Sequence, residues 1–424
     1  MKTPTVKCLF LVLAIFYAGA LPLILTNYNQ GRAAVDTQFF HYPTIQHFTH
    51  TLDVHSYPCS MAPGYHILLA RVARCCPDSM RTLKLAGSVF TALLFGLLVW
   101  MLTPRFGVLH TTAILLPAIT SMYIFPAGVW LLPDNLAWVT VLAFLLLLLH
   151  PFSGISWYLC CGATLAIMVL VRQTNICFAG AFWLAAVWAG GITTSKASEF
   201  LRRLGSAFLA SLPALAILAF LFQQWGGVRP PDTATFQSGH RFQPNFATPA
   251  LFLALFCVYS LCCLPYLWNP VRQLVRSRRS LLIIWISLAA GLAISLLMPT
   301  DYNVDAGRMS GLWNLVRVTP VIAHHSILLS LLASAGAGML TVCLLLVRGR
   351  RKWILAAACA GFVVAQTANN MAWERYHVGF IFLLLFLVVR ELPQDEGIPQ
   401  PRMCAVLPIL FAVANTAFLV QGLR

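Results

Sequence analysis

Charge is what this sequence has least of. Only 9% of its 424 residues are Asp, Glu, Lys or Arg, and only 12 are acidic, against 59% hydrophobic residues and a mean hydropathy of +0.80. A water-soluble domain carries about a quarter charged residues, so a single aqueous globule is excluded. Metal-ligand spacing is also missing: none of the 13 cysteines stands in a CxxC…CxxC or Cys/His pattern. The doublets Cys75-Cys76, Cys160-Cys161 and Cys262-Cys263 lie in or beside apolar runs, where cysteine behaves as a small hydrophobe. No metal is therefore expected, and pairing of Cys59 with Cys75 or Cys76 is left open. No Asn-x-Ser/Thr acceptor occurs. The net charge of +16 comes from basic residues in short connections between apolar runs. Membrane orientation accounts for them, and no nucleic-acid partner is expected.

What is present is a succession of apolar segments. A membrane span needs about 20 mostly apolar residues, and that ruler gives about 13 segments. They fall near 7–27, 84–103, 108–130, 134–151, 154–171, 174–192, 206–224, 247–268, 281–299, 321–347, 353–368, 378–392 and 404–421. The reading is an all-α polytopic membrane protein, with residues 1–424 forming one integral membrane domain. The first segment follows Lys2 and Lys7 and lacks a clear small-x-small cleavage site, so it reads as a retained anchor.

A cytosolic N-terminus places the basic clusters Lys196-Arg202-Arg203, Arg272-Arg276-Arg278-Arg279 and Arg348-Arg350-Arg351-Lys352 on the cytosolic side, as the positive-inside rule requires. Eight acids then fall on the opposite face: Asp36, Asp53, Asp78, Asp134, Asp232, Asp301, Asp305 and Glu374. So do Arg32, Arg172, Arg229, Arg241, Arg308, Arg317 and Arg375, against the charge rule. Arginines kept there call for an anionic partner, either a ligand or a neighbouring acid such as Asp305 or Glu374.

The only long connection in this scheme is 28–83, and long loops in compact proteins are usually functional. It holds Val35-Asp36-Thr37-Gln38-Phe39-Phe40-His41-Tyr42-Pro43, three further histidines and Met61-Ala62-Pro63-Gly64-Tyr65-His66. Residues Gly64 to Ala73 have the apolar spacing of a short interfacial helix. Asp36, soon after the first span, is either a carboxylate held at the membrane surface for chemistry or a helix cap in a solvated loop.

These residues resemble a family. An acid after the first span followed by Phe-His-x-Pro, then a downstream Pro-Gly-Tyr, is similar to the GT-C superfamily of polyprenyl-phosphate-sugar glycosyltransferases. Val171-Arg172-Gln173-Thr174-Asn175-Ile176 resembles the Arg-Gln-Thr-Asn motif of the dolichyl-phosphate-glucose α-1,2-glucosyltransferase family, which adds the last glucose of the lipid-linked N-glycan precursor. Asp305 to Trp313 resembles that family's Asp-Asn-Arg-His-Tyr segment, and Trp373-Glu374-Arg375-Tyr376 its Glu-Phe-Arg-Tyr. Asp134 falls where the family carries an acid after Tyr-Thr. The family has two adjacent acids in the first loop. Here Asp36 is followed by Thr37 and Gln38, and its distance to His41 is one residue longer.

The resemblance implies a GT-C-like fold and a multi-pass protein of the endoplasmic-reticulum membrane with its active site on the lumenal side. It implies a dolichyl-phosphate sugar donor, a lipid-linked oligosaccharide acceptor and contact with membrane lipids. Forming an α-linkage from a β-linked lipid phosphate inverts the anomeric carbon. One carboxylate must then take the acceptor's proton while cations stabilise the departing phosphate. Asp36 is the candidate base. Arg172, Arg308 and Arg375 are candidates for the phosphate, because a guanidinium presents a fork of donors matched to its oxygens. Gln173, Asn175 and Asp134 are candidates for orienting sugar hydroxyls or bracing those arginines, with Asp305 and Glu374 beside them. His41 is a candidate for holding a phosphate or Asp36, and equally a packed interfacial histidine. No Gly-rich nucleotide loop or Asp-x-Asp stands on the cytosolic side, which favours a lipid-linked donor over a nucleotide sugar. A mannosyltransferase of the same superfamily and, further off, a lipid or sugar transporter are the competing readings.

Overall fold

A computed structural model describes residues 3–76, 79–150, 154–188, 197–231, 244–297, 299–300, 311–369, 372–392 and 401–423. Apart from one two-residue hairpin, the regular structure among them is helical, as the composition requires: with no water in the hydrocarbon region, backbone donors and acceptors must be satisfied within each span. Six helices are long and apolar enough to cross a membrane, among them Thr3–Leu25, Met80–Ile119, Ala197–Trp225 and Ile327–Leu346. Asp134–Leu149, Ile155–Val171 and Ala405–Gln421 are shorter apolar helices. The chain forms two compact units, residues 1–240 with 409–424, and residues 241–408.

The first unit begins with α1 (Thr3–Leu25). The long connection follows as α2 (Arg32–Asp36), a π-helical turn Thr37–His41, α3 (Tyr42–His50) and α4 (Gly64–Cys75). The helix expected from Gly64 is thus present. The next helix, α5 (Met80–Ile119), is capped by the Ser79 hydroxyl, which accepts from Thr82 N–H. It breaks at Gly107, whose φ of 71° lies where only glycine sits without strain. That break separates the segments expected at 84–103 and 108–130. The second of these is itself divided, since α5 ends at Ile119 and α6 (Ile124–Val129) is a separate short helix.

There follow α7 (Asp134–Leu149), α8 (Ile155–Val171), a 3₁₀ turn Gln173–Phe178, α9 (Ala179–Trp188) and α10 (Ala197–Trp225). The segment expected at 174–192 therefore starts in a tight 3₁₀ turn. Helices α8 and α10 pack together, and at Gly162 a Cβ would stand 2.2 Å from the Ala210 carbonyl oxygen. Such close backbone approach through small residues is the usual means of joining helices in lipid.

The first loop is a packed body. Ile45, Phe48, Tyr57, Cys59, Tyr65 and Leu69 form its core with Leu83 from the following helix, Leu131 from a turn further along the chain, and Leu221 and Trp225 from the helix Ala197–Trp225. Trp225 Nε1 donates to the Val54 carbonyl at 2.9 Å, and Arg74 donates to the carbonyls of Thr49 and Phe48.

In the second unit, helix Thr248–Ser260 packs on Ile327–Leu346, which also packs on Arg278–Leu297. Gly336 lets the first pair touch: a Cβ there would lie 1.8 Å from the Leu253 carbonyl oxygen. The segment expected at 321–347 opens with an antiparallel hairpin, Val321–Ile322 against His325–Ser326. Its helix starts only at Ile327, where the Ser326 hydroxyl caps Leu329 N–H. Helix Gly311–Val318 precedes the hairpin, and Arg350–Thr367 and Arg375–Glu391 follow.

Candidate functional site

The first unit gathers the first loop and the Arg-Gln-Thr-Asn motif. The motif sits in the turn between α8 and α9, and Asn175 holds that turn. Its backbone N–H donates to the Arg172 carbonyl at 2.9 Å, and its side-chain amide donates to the Met168 carbonyl at 3.3 Å. Gln173 reaches the loop with both ends of its amide. Its Oε1 accepts from Ala62 N–H at 2.9 Å, and its Nε2 donates to the Ser60 carbonyl at 3.0 Å. Gly64 lies against Leu170, where a Cβ would stand 2.6 Å from the carbonyl oxygen. On the other side, Thr37 Oγ1 accepts from Leu131 N–H at 3.2 Å. Asp36, Pro63-Gly64-Tyr65, Asp134 and Arg172, distant in sequence, thus belong to one packed region.

At its centre is an ion pair. Arg172 Nη2 donates to Asp134 Oδ1 at 3.0 Å, and the two side chains are 8% and 6% exposed. Asp134 occupies the first turn of α7, where the helix dipole favours a carboxylate. Tyr65 is fully buried, and its phenol pKa is raised by burial and then by the charge of Asp134. Asp134 is therefore paired with Arg172. Neighbouring Asn135 donates to Thr91 Oγ1 at 2.5 Å and to the Ile124 carbonyl at 2.9 Å, tying α7 to α5 and α6.

Asp36 ends α2 half-buried and leads directly into the π turn Thr37–His41. A π turn holds one residue more than an α turn and is frequent at functional sites. The turn continues the run of helix from Arg32 to His50 without a break. His41 points into the loop core. It is 3% exposed, with Nδ1 3.0 Å from His66 Nε2 and 3.7 Å from Cys59 Sγ. Cys59 is buried there, whereas Cys75 and Cys76 are exposed.

The second unit gathers the two C-terminal motifs. Buried Glu374 accepts from Leu312 N–H at 2.5 Å and Trp313 N–H at 3.4 Å, which makes it the N-terminal cap of helix Gly311–Val318. Gly311 has a φ of 40°, and a Cβ there would lie 2.4 Å from Glu374 Oε2. Trp313 Nε1 donates to the Ala372 carbonyl at 2.8 Å. The end of the Asp305–Trp313 segment is therefore docked on Trp373-Glu374-Arg375-Tyr376. Arg375 sits in the first turn of its helix, against the dipole, with its guanidinium 5.4 Å from the ring centroids of Trp373 and Tyr376. Asp305 and Arg308 lie outside the described residues.

Sequence reasoning assigned no site role to Lys84, Tyr65, His66 or Cys59. Lys84 is 1% exposed, and its ammonium donates to Asn27 Oδ1, the Tyr28 carbonyl and Asn29 Oδ1 at 2.9–3.0 Å. All three of its donors are used in closing the end of α1 onto α5. A cation inside an apolar run is a signal in itself.

No protein-family model matches the chain, and no curated protein matches it at a significant level. Among solved structures it is similar to ArnT from Cupriavidus metallidurans in the apo state, with a TM-score of 0.41 and 15% identity over 89% of this chain and 77% of that one. It is similar also to the same protein bound to undecaprenyl phosphate, with a TM-score of 0.41 and 14% identity over 89% and 77% of the two chains.

Proposed function

We propose that the chain is an inverting membrane glycosyltransferase that takes a sugar from a polyprenyl-phosphate donor, with glucose from dolichyl-phosphate-glucose as the sugar and a lipid-linked oligosaccharide as the acceptor. The observation that carries this reading is the docking of Arg172-Gln173-Thr174-Asn175 on the first loop through Ser60, Ala62 and Gly64. It brings the loop holding the candidate carboxylate beside the motif that resembles the glucosyltransferase family. Asp36 is the base. It is only half-buried, so its carboxylate stays open to an acceptor hydroxyl. Arg172 is fixed by Asp134, so its guanidinium is oriented before a phosphate arrives. From the family resemblance, Arg308 and Arg375 are further candidates for binding the donor phosphate, with the Arg375 guanidinium lying against the rings of Trp373 and Tyr376. The α-1,2 linkage and the lumenal side of the endoplasmic-reticulum membrane complete the proposal, both from the family resemblance.

The experiment is transfer by the purified chain to a lipid-linked oligosaccharide, with dolichyl-phosphate-glucose and dolichyl-phosphate-mannose offered separately. Transfer from the glucose donor alone supports the proposal. Transfer from the mannose donor alone makes the chain a mannosyltransferase of similar design, and transfer from neither overturns the enzyme reading.

A further inference from the structure

His41, Cys59 and His66 come from three separate stretches of the first loop: the end of the π turn, the segment between α3 and α4, and the first turn of α4. Their Nδ1/Nε2 and Sγ atoms all lie within 4.8 Å of one another, and all three residues are buried. His41 Nδ1 is 3.0 Å from His66 Nε2 and 3.7 Å from Cys59 Sγ, and the two imidazole planes are within 9° of parallel. A tetrahedral zinc ion with ordinary bond lengths separates two nitrogens by about 3.3 Å and a nitrogen from a sulfur by about 3.6 Å. Shifts of a few tenths of an ångström would bring the two measured separations to those values.

We propose that these three side chains form a binding site for a borderline-soft transition-metal ion of the zinc type. The proposal does not rest on the transferase reading. Two imidazoles and a thiolate are the donor set such ions prefer over carboxylate and carbonyl ligands. A ligating histidine must be neutral. On binding, the Cys59 thiol gives its proton to solvent and the sulfur electron pair forms the bond to the metal. No oxidant or reductant is required. Three protein ligands leave one position for water. The burial of all three residues makes the ion a clamp: it would join the π turn after Asp36 to the Met61–Tyr65 segment that Gln173 holds, and so fix the loop's geometry.

The test uses the full-length chain in detergent, loaded with zinc chloride, freed of excess metal and analysed for bound zinc, beside Cys59→Ala and His66→Gln. About one equivalent per chain is expected, falling at least tenfold in each variant. Cobalt is offered in parallel, because a thiolate ligand gives a near-ultraviolet charge-transfer band. Zinc should also slow alkylation of Cys59 without slowing that of exposed Cys75. If the variants fail to fold, the wild-type chain decides alone. Absence of the cobalt band, or alkylation of Cys59 at the same rate with and without zinc, overturns the proposal, as does undiminished zinc uptake by both variants.

Discussion

Breaking the Asp134–Arg172 pair is the most informative single perturbation. The charged atoms are 3.0 Å apart and both side chains are nearly buried. At an effective dielectric near 20 the attraction is about 5 kcal/mol, set against desolvation of several kcal/mol for each ion. The pair is therefore near break-even as a unit. Asp134→Asn removes only one side of it and leaves a guanidinium without its anion in a poorly hydrated place, at a cost of about 3–5 kcal/mol. At about 2 °C per kcal/mol, the apparent melting temperature should drop by about 6–10 °C. The double change Asp134→Asn/Arg172→Gln removes both charges and should melt several degrees above the single variant. Arg172→Lys keeps the charge, so it should melt close to wild type while transferring sugar more slowly. Thermal unfolding in detergent can be followed by labelling of buried thiols such as those of Cys161, Cys262 and Cys343. If Asp134→Asn melts with the wild-type chain, the pair is not a structural brace and the reasoning fails.

Three further outcomes follow from the geometry. Asp36→Asn should lower turnover by about 10²-fold or more with the melting temperature unchanged, because a general base contributes about 10²–10⁴; a turnover near wild type moves the base elsewhere. Glu374→Ala should cost about 2–3 kcal/mol, since it strips a buried, charged cap from the N–H groups of Leu312 and Trp313, and protease should then cut within 311–318 sooner. The third concerns pH. His66 faces His41 and Cys59, and its pKa is depressed in the folded chain by burial and then by His41. The unfolded chain therefore binds the extra proton first, and stability falls as pH drops below about 6.5 by up to about 1.4 kcal/mol per pH unit. His66→Gln should flatten that slope between pH 7.5 and 5.5, and an unchanged slope would assign the titration to another group.

The parts of this molecule that were legible in advance depend on local pattern. Apolar runs mark helices because each must satisfy its own backbone in lipid, and the spacing in Gly64 to Ala73 marks α4. Where a short element intervenes, composition is silent: Val321–Ser326 reads as the start of a span, yet folds as a hairpin before the Ser326 cap. The break at 120–123 is hidden in the same way. The resemblance offered Asp134 as a brace for the arginines without saying which one, because nothing local in Asp134 points to Arg172, 38 residues on. The π turn at Thr37–His41 is a property of the backbone that no local residue pattern announces. His41, Cys59 and His66 follow no ligand spacing and meet only because the loop folds on itself. Glu374 read as a partner for an arginine or a sugar, and its capping of Leu312 and Trp313 depends on a helix 61–62 residues away in sequence.

The central claim, that Asp36 drives sugar transfer from a lipid-phosphate donor, is tested most directly by one measurement: single-turnover transfer from dolichyl-phosphate-glucose to a lipid-linked oligosaccharide by the wild-type chain and by Asp36→Asn, each shown to melt alike. The account predicts transfer by the wild-type chain and a drop of about 10²-fold or more in the variant. Equal rates in the two, or no transfer by a folded wild-type chain, would contradict it.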